Sequence, residues 1–90
     1  MRGNDIEPSK VWDVLWNSLD GSVRNLAALK ESARDGAHFI EDMGLDSLDL
    51  LEFYLRLDEA FGVSLTEDDY PELTSVQVIV AFLEARAASS

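Results

Sequence analysis

Ser47 is the residue of this chain best placed to do chemistry. It stands between Asp46 and Asp49 at the head of a run, residues 47–61, whose apolar positions recur at helical spacing. Two roles suit a serine there. Its hydroxyl can cap the helix, a task that Asp46 can perform equally well, with Asp49 favoured in the first turn by the macrodipole. Alternatively the hydroxyl can carry a phosphodiester, because a helix start offers unpartnered N–H groups and partial positive charge. Acid on either side repels a phosphate, so Asp46 and Asp49 make better sense as a surface read by a basic partner. Little else in the chain suggests reactivity. His38 is the one histidine and there is no cysteine, so neither a thiol nucleophile nor a cysteine-based metal site can be assembled. Glu67-Asp68-Asp69 lacks the spaced ligands and glycine of a calcium loop. No Ser-His-Asp order or phosphate-binding glycine loop is present, which argues against a stand-alone enzyme.

Composition narrows the function further. Ninety residues make one small domain with a thin stability margin, read as residues 1–90 with flexible tails at 1–7 and 86–90. The net charge of −11 disfavours nucleic acid and anionic membrane, and favours partners that present Lys and Arg. No stretch reads as a signal peptide or reaches membrane-spanning length, so the cytoplasm is the default expectation; the chain is separately expected to be a monomer.

The elements that must position Ser47 read as all-α. They form a small four-helix bundle, three main helices plus one short one, with a long connection between the first and second main helices. The first helix starts near Pro8 or Ser9, carries Val11, Trp12, Leu15, Trp16 and Leu19 on helical spacing, and stops at Asp20-Gly21. Residues 22–46 connect, with a hint of helix at Val23, Leu26 and Leu29, a turn at Asp35-Gly36, and Phe39 and Ile40 tucked against the core. The strongest helix is 47–61, with Gly62 as its stop. An acidic single turn at 66–70 is cut short by Pro71. A last helix spans 75–87, with Thr74 and Gln77 at capping-box spacing.

Helix 47–61 carries two apolar stripes. Leu50, Phe53, Tyr54, Leu57 and Phe61 share the face expected in the core, and Leu48, Leu51 and Leu55 form a second stripe beside acid. A 90-residue bundle rarely needs two buried faces on one helix. The second stripe is therefore either covered by the 22–46 connection or left exposed for a partner.

The run Glu41-Asp42-Met43-Gly44-Leu45-Asp46-Ser47-Leu48-Asp49 resembles the modification motif of acyl carrier proteins. The resemblance extends from Phe39 through Glu59-Ala60-Phe61-Gly62-Val63 to Leu73-Thr74-Ser75-Val76, covering roughly residues 37–84. It implies a chain without catalysis of its own. A phosphopantetheinyl transferase would move 4'-phosphopantetheine from coenzyme A onto Ser47, and the arm's thiol would hold an acyl group as a thioester. Asp46, Leu48, Asp49, Leu51, Glu52, Leu55 and Glu59 would then dock on basic patches of loading and processing enzymes. Leu50 and Tyr54, with other core residues, would shelter the cargo.

Three features depart from the family pattern: the long 22–46 connection, Trp12 and Trp16 in the first helix, and Pro71 in the third helical segment. Leu45-Asp46 before the serine favours the acyl form of the motif over the paired glycines of peptidyl carriers. The expected function is an acyl carrier in polyketide, secondary-metabolite or fatty-acid-type biosynthesis. The alternatives are an aminoacyl carrier, of the nonribosomal-peptide or D-alanyl kind, and an acidic interaction module that is never modified.

Overall fold

The computed structural model describes residues 6–20 and 26–89, with side chains through residue 86. Four α-helices and no strands are found among them: α1 (Pro8–Leu19), α2 (Leu26–Ser32), α3 (Ser47–Phe61) and α4 (Val76–Ser89). The all-α reading holds, with α1, α3 and α4 as the three main helices. No helix among the described residues is long and apolar enough to cross a membrane.

The core lies where α1 packs against both α3 and α4. Val11, Leu15 and Leu19 of α1 meet Phe53 and Leu57 of α3, and Val76, Ile79 and Leu83 of α4 close the third side. Each recurs at three- or four-residue intervals, so one stripe per helix is enough to build the interior. Burying a side chain of this size contributes about 1.5–3 kcal/mol, which makes this stripe the main source of stability.

Local chemistry sets the helix ends. Pro8 takes the first position of α1, where its missing N–H costs nothing, and Glu7 rather than Ser9 occupies the cap position. Gly62 ends α3 in the left-handed conformation, at φ 64°, as its type predicts. At α4 the cap is Ser75, whose Oγ accepts the Val78 N–H at 3.2 Å, so capping falls one residue later than Thr74. The helix also continues to Ser89, two residues beyond the predicted 87.

The acidic segment differs from expectation more sharply. A single turn is present at 66–70, with the Asp69 and Tyr70 N–H groups donating to the Thr66 carbonyl, but Pro71 does not cut it short. The turn is followed by a 3-10 helix, Tyr70–Glu72, that contains Pro71. Proline is tolerated there because the first helical positions have no intrahelical acceptor to lose. Asp69 organises the turn: its carboxylate accepts the Thr66 N–H at 3.0 Å and lies 3.4 Å from the Arg86 guanidinium. The Thr66 hydrogen bond, above all, holds the Asp69 carboxyl below its ordinary pKa, with Arg86 adding to it.

The connection between α1 and α3 is anchored along its length. α2 forms part of it; the hint of helix at Val23 lies outside the described residues. The turn predicted at Asp35-Gly36 is present, closed by the Ala37 N–H donating to the Arg34 carbonyl. Trp12 and Trp16 stack at 5.1 Å between ring centres. The Trp12 indole donates to Asp35 at 2.6 Å, and Lys30 lies 5.7 Å from the Trp16 ring. The two tryptophans are thus half-buried links between α1 and the connection. Further along, the Gln77 N–H donates to the Asp35 carbonyl and the Phe39 N–H to the Thr74 carbonyl. Phe39 is fully buried edge-on against Phe53, whereas Ile40 is exposed and does not tuck against the core as expected. Adjacent residues in a tight turn point in different directions, so only one of the pair can face inward.

Candidate functional site

The segment leading to Ser47 is a closed turn. The Asp42 and Met43 N–H groups donate to the His38 carbonyl, and the Gly44 N–H donates to the Ile40 carbonyl at 3.1 Å. Gly44 adopts φ 75°, a left-handed conformation that glycine reaches without steric cost. The Leu45 N–H then returns to the Phe39 carbonyl, burying Leu45 and leaving Asp46 extended at the head of α3.

Asp46 is the helix cap. Its carboxylate accepts the Asp49 N–H at 2.9 Å, and its carbonyl accepts the Leu50 N–H. This decides between the two capping residues open to the sequence, and it relieves the Ser47 hydroxyl of that duty. Ser47 is the first residue of α3 and is exposed. Asp49 is half-buried, and its pKa is raised by burial first and by the neighbouring Asp46 carboxylate second. Two acids crowd the helix start, so this end of α3 is strongly negative.

The outer stripe of α3 is not covered by the connection. Leu48 is 75% exposed, Leu55 54% and Leu51 42%, and Ile40 joins them at 48%. Glu52 and Glu59 are exposed on the same helix, Glu52 lying 3.9 Å from Arg56 in a solvent-facing pair of small energetic weight. Exposed leucines bordered by acid are therefore a property of this surface.

Beside Ser47 opens an apolar cleft of about 390 Å³, lined by Ile40, Ser47, Leu48, Leu50, Leu51, Tyr54, Tyr70 and Pro71. Tyr54 forms its inner wall. Its hydroxyl donates to the Leu73 carbonyl at 2.7 Å, and its ring stacks on Tyr70 at 4.7 Å. Burial, with a contribution from Tyr70, pushes the Tyr54 phenol up to about 12. Of the sequence-predicted residues, Ser47, Leu48, Leu51, Leu50 and Tyr54 meet at this cleft; Asp46 and Asp49 flank its helix end, and Leu55 and Glu59 lie further along α3. Ile40, Tyr70 and Pro71 were not among the predicted site residues. For Ile40 the signal was the pair of adjacent apolar residues in a turn; for the other two, which arrive from beyond α3, no local signal exists.

The family described as "Phosphopantetheine attachment site" matches residues 22–83, well over half of the chain. The acyl carrier protein of Nitratidesulfovibrio vulgaris (strain DSM 19637 / Miyazaki F) is 36% identical over 59 residues, which is 66% of this chain and 78% of that protein. The chain belongs to the acyl carrier protein family. A second acyl carrier protein, from Solidesulfovibrio magneticus (strain ATCC 700980 / DSM 13731 / RS-1), is 38% identical over 50 residues, covering 56% of this chain and 64% of that protein.

The family's cofactor is phosphopantetheine, and the residues present fit it. An exposed serine hydroxyl freed from capping lies on the rim of a cleft with apolar walls. Bound, the arm supplies a thiol, a group that no residue of this cysteine-free chain provides.

Proposed function

We propose that Ser47 is the attachment point of the 4'-phosphopantetheine arm and that the chain carries acyl intermediates as thioesters for polyketide, secondary-metabolite or fatty-acid-type biosynthesis. The observation that carries this reading is the position of Ser47: exposed, first in α3, not used as a cap, and on the lip of an apolar cleft. A transferase delivering the arm needs an accessible hydroxyl on a rigid element, and Asp46 supplies the rigidity by capping the helix. The protein itself performs no bond chemistry in this scheme; it presents cargo.

The docking surface is the outer face of α3 with Asp46, Leu48, Asp49, Leu51, Glu52, Leu55 and Glu59, to which the exposed Ile40 is added. Exposed apolar side chains provide contact area, and the surrounding carboxylates steer basic partners. Those partners are a phosphopantetheinyl transferase and the enzymes that load and process the cargo. Leu50 and Tyr54 line the wall along which the cargo lies.

Intact-mass measurement after incubation with coenzyme A, magnesium and a broad-specificity phosphopantetheinyl transferase tests this. The native chain is expected to gain one phosphopantetheine and Ser47→Ala none. A folded, previously unmodified chain that gains nothing would sink the carrier reading and leave an acidic interaction module. Loading assays on the modified chain then separate acyl from aminoacyl cargo.

A further inference from the structure

His38 lies outside the cleft and outside the docking face, yet it closes the turn that builds both. Its Nδ1 is 3.1 Å from the Ile40 N–H and 3.1 Å from the Glu41 N–H, accepting both. In return the His38 N–H donates to the Asp42 carboxylate at 2.8 Å. This is reciprocal capping of the kind found at helix starts, with an imidazole where a serine, threonine or aspartate ordinarily serves. The turn it closes runs on through Gly44 to Leu45, two residues before Ser47, and sets Ile40 in the cleft wall.

We infer that His38, as a neutral imidazole, is the positioning residue of segment 38–45, holding Ile40 at the cleft and delivering the chain to Ser47 in the register a transferase meets. The part of this that concerns modification rests on the Ser47 reading; the capping does not. An imidazole accepts at Nδ1 only while that nitrogen is unprotonated. A proton there removes the acceptor for both amides at once.

The test uses the full chain, His38→Ala and His38→Ser, the serine restoring a capping acceptor. In His38→Ala, hydrogen exchange of the Ile40 and Glu41 amides is expected to speed up about fivefold, the factor one cap is worth. The KM of the chain as a transferase substrate should rise about fivefold with kcat within about twofold, because the turn presents the serine without taking part in the transfer. His38→Ser should restore both. Unchanged amide exchange in His38→Ala, or failure of His38→Ser to rescue, overturns the inference. A native chain that accepts no phosphopantetheine counts against the Ser47 reading, and the amide exchange still decides for or against His38.

Discussion

The two faces of α3 use the same residue type for opposite ends. Leu50 and Leu57 point inward and are buried against α1 and the cleft wall, whereas Leu48 and Leu55, two residues away from each, remain in water. A leucine on the inner face adds stability through the area it removes from water. On the outer face it adds nothing to folding and leaves an apolar surface available to a partner. Burial, not residue identity, therefore separates the residues that hold this fold from those that would be read by other proteins.

The largest expected effect tests the inner face. Leu57→Ala should lower unfolding free energy by about 2–5 kcal/mol in urea titration, through lost transfer energy and an unfilled cavity. Leu55→Ala should stay within about 0.5 kcal/mol of the native chain. Equal losses from the two would erase the distinction between the faces.

The outer face is tested next by Leu48→Glu, which should leave the melting temperature in place. On the proposed docking role it should reduce transferase kcat/KM by about tenfold, the scale of one interface anchor. A variant that is modified at the native rate would move the docking surface elsewhere.

Tyr54 joins the two faces, since it is buried and also walls the cleft. Tyr54→Phe should cost about 0.5–1.5 kcal/mol by leaving the Leu73 carbonyl without its donor. The pH dependence has a definite sign. The folded phenol keeps its proton up to about 12, while the unfolded one loses it near 10.0. The neutral phenol's contribution is therefore complete below pH 10.0 and is lost as pH rises towards about 12. Melting curves of the native chain should fall relative to Tyr54→Phe across that window.

The smallest effect belongs to Asp49. Its folded pKa lies above the ordinary 3.8, so folding favours its protonated form and the charged form is mildly destabilising at neutral pH. Asp49→Asn should raise the melting temperature slightly at neutral pH, and the difference should vanish below pH 3.8, where the carboxyl is protonated in both states.

Much of this arrangement is legible in local pattern. The three- and four-residue spacing of Val11, Leu15 and Leu19, and of Leu50, Phe53, Tyr54 and Leu57, marks the buried stripes because a helix brings such positions onto one side. Gly62 marks the end of α3 because few other residues adopt the left-handed conformation cheaply. Where the local signal allowed two answers, it misled or stayed silent: Thr74 and Ser75 both resemble caps, and Pro71 reads equally as a helix stop or an early helical position. For that reason the acidic turn at 66–70 is legible, but its continuation through Pro71 as a 3-10 helix is not.

By itself the sequence determined the all-α class, the boundaries of α3, the inner stripe and the placing of Ser47 at a helix start, all consequences of interactions within a few residues. Tertiary structure decided that the stripe of Leu48, Leu51 and Leu55 stays exposed, that Phe39 goes inward while Ile40 does not, and that Tyr70 and Pro71 complete a cleft beside Ser47. Helical periodicity records which residues share a face, but the cover of that face comes from segments distant in the chain. Their arrival depends on links such as Phe39 to Thr74 and Asp35 to Gln77, backbone hydrogen bonds that leave no trace in residue type.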